Sequence, residues 1–136
     1  MKLATRRRAY LHEAIFMLAI ARLAVRFVPA SRIFAWADRP PRRINHFAAD
    51  EADWIFWAVE CIGAKPWMGA LCLPSAIAAH AMLRRRGIAS RVCLGVARKG
   101  DELAAHAWVE VGESKVFNGV ETHSFTRLAE FGAVTR

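Results

Sequence analysis

The first apolar pattern along the chain is helical and covers residues 10–28, where apolar side chains return every three or four positions. The positions on or near one stripe of this predicted helix are Leu11, Ile15, Leu18, Arg22 and Val25. Pro29 ends the segment, because proline cannot continue a helix beyond its first turn. A second short helix is predicted over residues 31–37, and the paired prolines of the following ADRPPRRIN indicate a linker.

Two further helices are predicted in the middle of the chain. One begins at Asp50 or Asp53, since acidic residues suit a helix N-terminus, and ends at Gly63. The other begins at Cys72 and has an alanine-rich body of high helix propensity. Three arginines near its end complement the helix dipole, and Gly87 is a suitable residue to follow the last turn.

After this helix the pattern changes to period two, which is typical of strands. The segments with this alternation are SRVCLGVAR, AHAWVEVG and KVFNG, separated by turn-forming residues. We predict three antiparallel strands here and one more short helix in the tail, FTRLAEFGAVTR. The order of elements therefore predicts an α+β fold with a small antiparallel sheet.

The composition is that of one ordinary domain: 136 residues, of which 55% are apolar, can bury a core without disulfide or metal staples. Three cysteines in such a chain do not indicate a secreted disulfide framework, so we expect free thiols in the reducing cytoplasm. With no CxxC pair and no close Cys–His spacing, neither a metal nor another cofactor is expected. Arg22 and Arg26 interrupt the first apolar run, which argues against a signal peptide or a membrane span.

The formal charge of +8 favours an acidic partner, such as an acidic peptide, a nucleic acid or an anionic membrane surface, without choosing among them. The arginine clusters are Arg6 to Arg8, Arg39 with Arg42 and Arg43, and Arg84 to Arg86. No nucleic-acid motif surrounds these clusters, so they are interpreted as solvated helix ends and linkers. No nucleic-acid partner is expected, and a membrane partner is disfavoured.

Cys72 is the candidate nucleophile, because it opens a predicted helix. The dipole and the free N–H groups of a helix N-terminus favour a thiolate and can hold an oxyanion as it forms. By position alone a second interpretation is equally open, in which Cys72 is a small buried hydrophobic residue. Cys61 lies in an apolar helix and Cys93 lies between two apolar strand residues, so both are expected to pack in the core.

His106 is the candidate base. His80 shares the helix of Cys72 but lies eight residues on, a rise of about 12 Å that is too long for a hydrogen bond to the thiol. Two other histidines have no motif around them, His12 and His46. Strand alternation puts three functional side chains on one face of AHAWVEV and small apolar side chains on the other. These three are His106, Trp108 and Glu110.

The third residue of a triad orients the imidazole through its second nitrogen. Glu110 lies four residues along the strand from His106, about 13 Å away, and cannot reach it. A three-residue hairpin loop after Val111 would pair Val111 with Lys115. Asn118 would then share the His106 face one pair along, at a bridgeable diagonal of roughly 7–8 Å. This register makes Asn118 the predicted third residue, and a slip of one residue would turn it away.

Three segments carry a resemblance to a known family: CLPSAIAAHAMLRRRGIASRVCLGV, AHAWVEVGESKVFNG and EAIFMLAIARLAVRFVPASR. They resemble the transglutaminase-like superfamily, in which a cysteine opens a helix and a histidine and an Asp or Asn lie on the two following strands. More closely, they resemble the leader peptidases of lasso-peptide biosynthesis, called B proteins. The resemblance covers most of the chain. It implies a papain-like core in a single domain, with an N-terminal helical segment and linker over residues 1–45 and a catalytic core over residues 46–136.

The same resemblance implies a hydrolase of the cysteine-protease type that matures a ribosomally made precursor peptide. Cys72 would attack the peptide bond between leader and core, His106 would activate the thiol and protonate the leaving amine, and Asn118 would orient His106. The family usually has aspartate in that third position. Glu121, the nearest carboxylate on the segment, is therefore the alternative third residue.

The resemblance also implies partners. Some family members carry an extra N-terminal domain that binds the leader of the precursor peptide, and this chain has no room for one, so a separate leader-recognition protein is expected. A complex with an ATP-dependent macrocyclase is a further expectation. Two other functions stay open at this point: a non-catalytic transglutaminase-like binding module, motivated by Asn118, and an acyl-transfer enzyme acting on another amide.

Overall fold

The structure is a computed structural model that describes residues 3–41, 49–65, 72–112, 115–117 and 125–132. Four helices precede four strands in the described part of the chain. The helices are α1 (Leu3–Phe27), α2 (Ala30–Asp38), α3 (Ala49–Gly63) and α4 (Cys72–Arg85). The strands are β1 (Arg91–Lys99), β2 (Glu102–Val111), β3 (Lys115–Phe117) and β4 (Thr126–Phe131). This mixed α+β architecture confirms the predicted fold class.

Helix α1 begins earlier than the sequence pattern predicts and buries one stripe against α3 and α4. The buried residues of this stripe are Tyr10, Ala14, Leu18 and Ala21. Arg22, which the pattern placed near the stripe, is exposed. A second apolar row faces outward at helical spacing, and it consists of Phe16, Ile20, Leu23 and Phe27. In the described ranges no helix combines the length and the apolar character that crossing a bilayer requires.

Helix α4 is the central element of the helical layer, and most of its residues from Pro74 to Leu83 are buried. It ends in a Schellman motif, in which the N–H of Ile88 donates to the carbonyl of Leu83 at 3.0 Å. Gly87 follows the last turn with φ 73°, a left-handed conformation that favours glycine. The predicted start and stop of this helix are thus confirmed.

The four strands form one antiparallel sheet in the order β3-β2-β1-β4. A two-residue loop of Gly100 and Asp101 joins β1 to β2. Strand β3 pairs with β2 so that Val111 lies opposite Lys115, which is the register the sequence predicted. The described pairing continues as far as Val109 and Phe117.

The predicted tail helix is wrong, because residues 126–131 form strand β4 and pair with β1. The segment contains Leu128, Ala129 and Glu130, which favour helices. In the fold, however, the free edge of β1 offers a row of unpaired N–H and C=O groups, and pairing with it satisfies the backbone of the tail. Tertiary context therefore outweighs the local helix propensity.

The two faces of the sheet differ in chemistry. The helix-facing side joins the apolar core of α1, α3 and α4, and its buried residues are Val92, Ala107, Val109 and Phe117. The other side, here called the outer face, carries His106, Trp108 and Glu110 of β2, Cys93 and Gly95 of β1, and Arg127 and Glu130 of β4. The predicted alternation of AHAWVEV, small apolar residues inward and functional groups outward, is confirmed.

Candidate active site

Cys72 is the first residue of α4, as the sequence predicts. Its side chain is half-buried and packs against the apolar core. The first N–H groups of a helix have no partner within the helix, so this end of α4 offers backbone donors beside the thiol. Pro74, in the same first turn, removes a donor only where the helix does not need one. Cys72 therefore combines a nucleophilic atom with a local source of positive potential.

The other two thiols are placed differently. Cys61 is half-buried on α3, and Cys93 is fully buried on the outer face of β1. Burial, together with the nearby carboxylates of Glu110 and Glu130, raises the pKa of Cys93 to about 12. A thiol with such a pKa stays protonated at neutral pH, so Cys93 is excluded as a nucleophile.

His80 is a structural residue, in agreement with the distance argument from the sequence. The N–H of its Nε2 donates to the carbonyl of Ala37 at 2.9 Å, and its Nδ1 accepts from the hydroxyl of Ser90 at 2.7 Å. Burial, helped by the positive charge of Arg84 and opposed by the bond to Ala37, lowers the pKa of His80 to about 4. His80 is therefore neutral at pH 7 and joins α2 and α4 to the start of β1.

His106 lies in the middle of β2 with a half-buried ring. Its imidazole stacks on Trp108, with the ring centroids 6.1 Å apart and the planes 21° from parallel. The ring of Phe125, just before β4, lies 5.3 Å away on another side. Helix α4, which carries Cys72, packs against β2. The two elements that carry the candidate nucleophile and the candidate base are therefore neighbours, but α4 packs on the helix-facing side of the sheet, whereas the imidazole of His106 lies on the outer face.

Asn118 and Glu121, the two candidates for the third residue, lie outside the described residues. The register on which the choice of Asn118 rested is present as far as the pair of Val109 and Phe117. Asn118 is the next residue in the sequence after this last described pair. Its role as the third residue stays a prediction.

Glu110 has a role that the sequence did not predict. One of its carboxylate oxygens accepts a hydrogen bond from the indole N–H of Trp108 at 3.1 Å and pairs with Arg127 at 2.7 Å. The other oxygen pairs with Arg91 at 2.8 Å. Burial alone would raise the pKa of Glu110, but the bond from Trp108 and the two arginine charges lower it below its ordinary value. Glu110 therefore remains ionised and anchors the indole.

A bulge in β4 completes this charged network. The partner of Leu94 is Ala129 and the partner of Gly95 is Arg127, so Leu128 is an extra residue without an opposite number. Strand side chains alternate between faces, so without the bulge the side chains of Arg127 and Glu130 would point to opposite sides. With it, Glu130 pairs with Arg91 at 3.2 Å and with Arg127 at 3.4 Å on the outer face.

Gly95 makes room for the indole of Trp108. A Cβ atom at Gly95 would lie 2.9 Å from Cη2 of Trp108 and 3.0 Å from the carbonyl oxygen of Thr126, closer than real Cβ contacts. A glycine inside a strand can mark such a close approach, and this was the one signal in the sequence for it. Arg127 could not be placed in this network from the sequence, because β4 was predicted to be a helix.

The outer face therefore carries an imidazole beside a set of aromatic and charged side chains. Within the described ranges, no three His, Cys, Asp or Glu side chains lie close enough together to hold a metal ion.

Comparisons with known proteins give one family. A family model described as the transglutaminase-like superfamily matches residues 14–130, which run from α1 to β4 and include both Cys72 and His106. Neither the comparison with curated proteins nor that with solved structures found a match. The match covers most of the 136 residues and agrees with the order of a cysteine-bearing helix followed by a histidine-bearing strand. The chain belongs to the transglutaminase-like superfamily, which includes cysteine peptidases.

Proposed function

We propose that this protein is a cysteine peptidase that removes the leader from a ribosomally synthesised lasso-type precursor peptide. The observation that carries the proposal is the position of Cys72 at the first turn of α4, a helix that packs against the strand of His106. Membership of a superfamily that includes cysteine peptidases supports the reaction class. The resemblance of the sequence to lasso leader peptidases supplies the substrate.

In the proposed reaction, His106 takes the proton of the Cys72 thiol, and the thiolate attacks the carbonyl carbon at the junction of leader and core. The N–H groups of the first turn of α4 hold the oxyanion of the tetrahedral intermediate. The intermediate breaks its C–N bond, and His106 protonates the amine of the departing core peptide. Water, deprotonated by His106, then hydrolyses the thioester and releases the leader with a free carboxylate.

This chemistry requires the sulfur of Cys72 and a ring nitrogen of His106 to come within hydrogen-bond reach in the reacting state. Asn118 is proposed to hold the second ring nitrogen through its amide oxygen. An asparagine can orient an imidazole but does not stabilise the imidazolium by charge. The proposal therefore predicts a working site with less electrostatic help than an aspartate would give.

A separate leader-recognition protein is proposed to present the precursor, and the outward apolar row of α1 is its proposed docking surface. Phe16 and Phe27 in this row are 62% and 72% exposed. The guanidinium of the exposed Arg26 lies 5.6 Å from the ring centroid of Phe27 in this row and would suit an acidic flank on the partner. An ATP-dependent macrocyclase that uses the freed core amine is proposed as a further associate. Three free thiols fit the proposed action in a reducing cytoplasm.

The decisive experiment combines the protein, the precursor peptide and the leader-recognition protein, and follows cleavage by mass spectrometry. Cys72→Ala is expected to abolish cleavage, whereas Cys61→Ala, which removes another half-buried thiol, is expected to retain it. Cleavage that persists in Cys72→Ala would overturn the proposal. Binding of the precursor without cleavage in the parent protein would favour a non-catalytic module, and transfer to an added amine in place of water would favour an acyl-transfer enzyme.

The third residue is tested separately under single-turnover conditions. Asn118→Ala is expected to slow cleavage, and Glu121→Ala is expected to leave it near the parent rate. The reverse result would assign the role to Glu121. For the docking surface, the double variant Phe16→Ser and Phe27→Ser is expected to weaken binding of the recognition protein. Leu103→Ser, at an exposed leucine on β2, is the matched control that should not.

A further inference from the structure

Several of the described residues contact the indole of Trp108. Its N–H donates to Glu110 at 3.1 Å, and the guanidinium of Arg127 lies 5.7 Å from the ring centroid. Phe125 packs at a centroid distance of 6.3 Å, and Gly95 leaves space only for a hydrogen atom beneath the ring edge. Trp108 is 1% exposed and does not belong to the helix-facing core. Its orientation is therefore fixed by a specific set of contacts on the outer face.

The imidazole of His106 stacks on this ring, with the centroids 6.1 Å apart. The two residues are two positions apart on β2, so their side chains lie on the same face. The imidazole stacks on the indole at 21° from parallel and meets Phe125 at 34°. The indole plane and the tilted ring of Phe125 restrict rotation of the imidazole about its last side-chain bond.

Rotational restriction matters for a base that uses both ring nitrogens. A proton exchange with Cys72 needs one nitrogen aimed at the sulfur while the other is held by a third group. A half-turn of the ring exchanges the two nitrogens, and a tilt misaligns both. An asparagine as the third residue contributes no ionic attraction to the imidazolium, so packing has to supply a larger part of the orientation of the His106 ring.

We propose that Trp108 is a positioning residue for His106, and that Glu110 acts through Trp108 by anchoring the indole N–H. This inference rests on the proposed function, because it assigns His106 the role of base. Glu110 itself does not touch the reacting atoms in this scheme. Arg91 and Arg127 form ion pairs with the carboxylate of Glu110 and so help to keep the indole of Trp108 in place.

A substrate-free test follows the alkylation of Cys72 by iodoacetamide, in which the thiolate displaces iodide. The measurements use the Cys61→Ala background, and the rate is recorded from pH 5 to pH 9. His106→Ala is expected to slow alkylation near neutral pH and to change the shape of the pH profile, because the imidazole no longer takes the thiol proton. Trp108→Leu is expected to change the profile in the same direction by a smaller factor.

A kinetic test uses cleavage of the precursor with the recognition protein present. Trp108→Leu is expected to lower kcat by about 10- to 100-fold while KM stays within about twofold. Trp108→Phe keeps an aromatic face and is expected to recover most of kcat. Glu110→Ala is expected to fall between the two, and Glu110→Gln, which retains an acceptor oxygen, to stay closer to the parent.

The matched control is Trp54→Leu on α3, which removes an indole that stacks on Tyr10 at 6.1 Å among the helices. It is expected to lower Tm without changing kcat or the alkylation profile. NMR of the His106 ring protons adds a direct readout, since the ring current of the indole shifts them, and Trp108→Leu removes that shift. If Trp108→Leu folds too poorly to measure, the same measurements are made on Trp108→Phe and Glu110→Ala.

The outcomes separate the two proposals. If His106→Ala leaves alkylation unchanged, the pairing of Cys72 with His106 is wrong, and the proposed function fails with it. If His106→Ala slows alkylation but Trp108→Leu and Glu110→Ala change only Tm, the positioning role alone is overturned. A drop in kcat with Trp108→Phe recovery and an unaffected Trp54→Leu supports the positioning role.

Discussion

His80 and His106 occupy two packed regions of the same molecule, and their surroundings differ in kind. His80 lies among α2, α4 and the start of β1, where Ala37 and Ser90 take both ring nitrogens. The indole of Trp36 meets the edge of its ring at 86°. His106 lies on the outer face of the sheet, half-buried, where the aromatic rings of Trp108 and Phe125 contact the imidazole.

The difference separates a structural histidine, His80, from the histidine that is proposed as the base, His106. Full burial costs His80 its positive form, and its pKa falls to about 4. A histidine with a pKa of about 4 is a weak acceptor for a thiol proton at neutral pH, because its imidazolium is strongly disfavoured. His106 is only half-buried, and aromatic rings contact its imidazole. The helical region therefore provides stability, and the outer face is where proton transfer is proposed.

The largest effect expected is on activity, and it separates the two regions directly. His106→Ala should lower single-turnover cleavage by about 10²- to 10⁴-fold, the usual contribution of a general base. The exposed His12 on α1 provides the control, and His12→Ala should cleave at the parent rate. A His106→Ala protein that cleaves nearly as fast as the parent would remove the distinction between the two histidines.

The next effect is on stability. His80→Ala should lower the free energy of unfolding by about 2–4 kcal/mol, because it leaves a cavity and removes the hydrogen-bond partner of the Ala37 carbonyl and of the Ser90 hydroxyl. Urea unfolding at pH 7 measures this loss, and His12→Ala should stay within about 0.5 kcal/mol of the parent. A His80→Ala protein as stable as the parent would contradict the structural role.

The pH dependence of stability gives a third effect. The folded pKa of His80, about 4, lies below its ordinary value of 6.5 in an unfolded chain, so the unfolded chain binds the proton first as the pH falls. The stabilising contribution is complete above the unfolded value and is lost as the pH drops from there toward the folded value. Between pH 7 and pH 5 the loss should be about 2 kcal/mol.

This slope is measured by urea unfolding at a series of pH values. His80→Ala should flatten it between pH 7 and pH 5, whereas His12→Ala should leave it as in the parent. A parent-like slope in His80→Ala would assign the acid sensitivity to other groups.

The smallest effect concerns the contact between Gly95 and Trp108, the residue whose ring stacks on His106. Gly95→Ala should lower the free energy of unfolding by about 1–2 kcal/mol, because the new methyl group meets the ring of Trp108 and a backbone oxygen. In a Trp108→Leu background the added cost should shrink, since the ring is gone. Thermal and urea unfolding of the four proteins in this cycle measure the coupling, and strict additivity would mean that Gly95 does not make room for the indole.

Much of the fold could be predicted because local chemistry specifies it. The start of α4 at Cys72 and its stop at Gly87 follow from propensity and capping, and the structure confirms both. The pairing of Val111 with Lys115 follows from the hairpin loop length. These features depend on residues close together in sequence, so the pattern of the chain contains the information that they need.

The sequence misled where a distant partner decides the outcome. The segment of residues 126–131 has helix-favouring residues, yet it becomes β4 because the edge of β1 is available for pairing. The role of Glu110 was missed for the same reason, since its partner Arg127 comes from that strand. Strand geometry alone was enough to reject Glu110 as the residue that orients the imidazole of His106.

The sequence by itself determined the helix that presents Cys72, the strand that presents His106 and the face on which His106 lies, because capping and alternation act over a few residues. The tertiary structure decided which groups surround them. It put Gly95 beneath Trp108, brought Arg127 and Glu130 to one face through a bulge, and buried His80 between elements far apart in sequence. Desolvation and ion pairing depend on such long-range neighbours, and they separate the structural histidine from the proposed catalytic one.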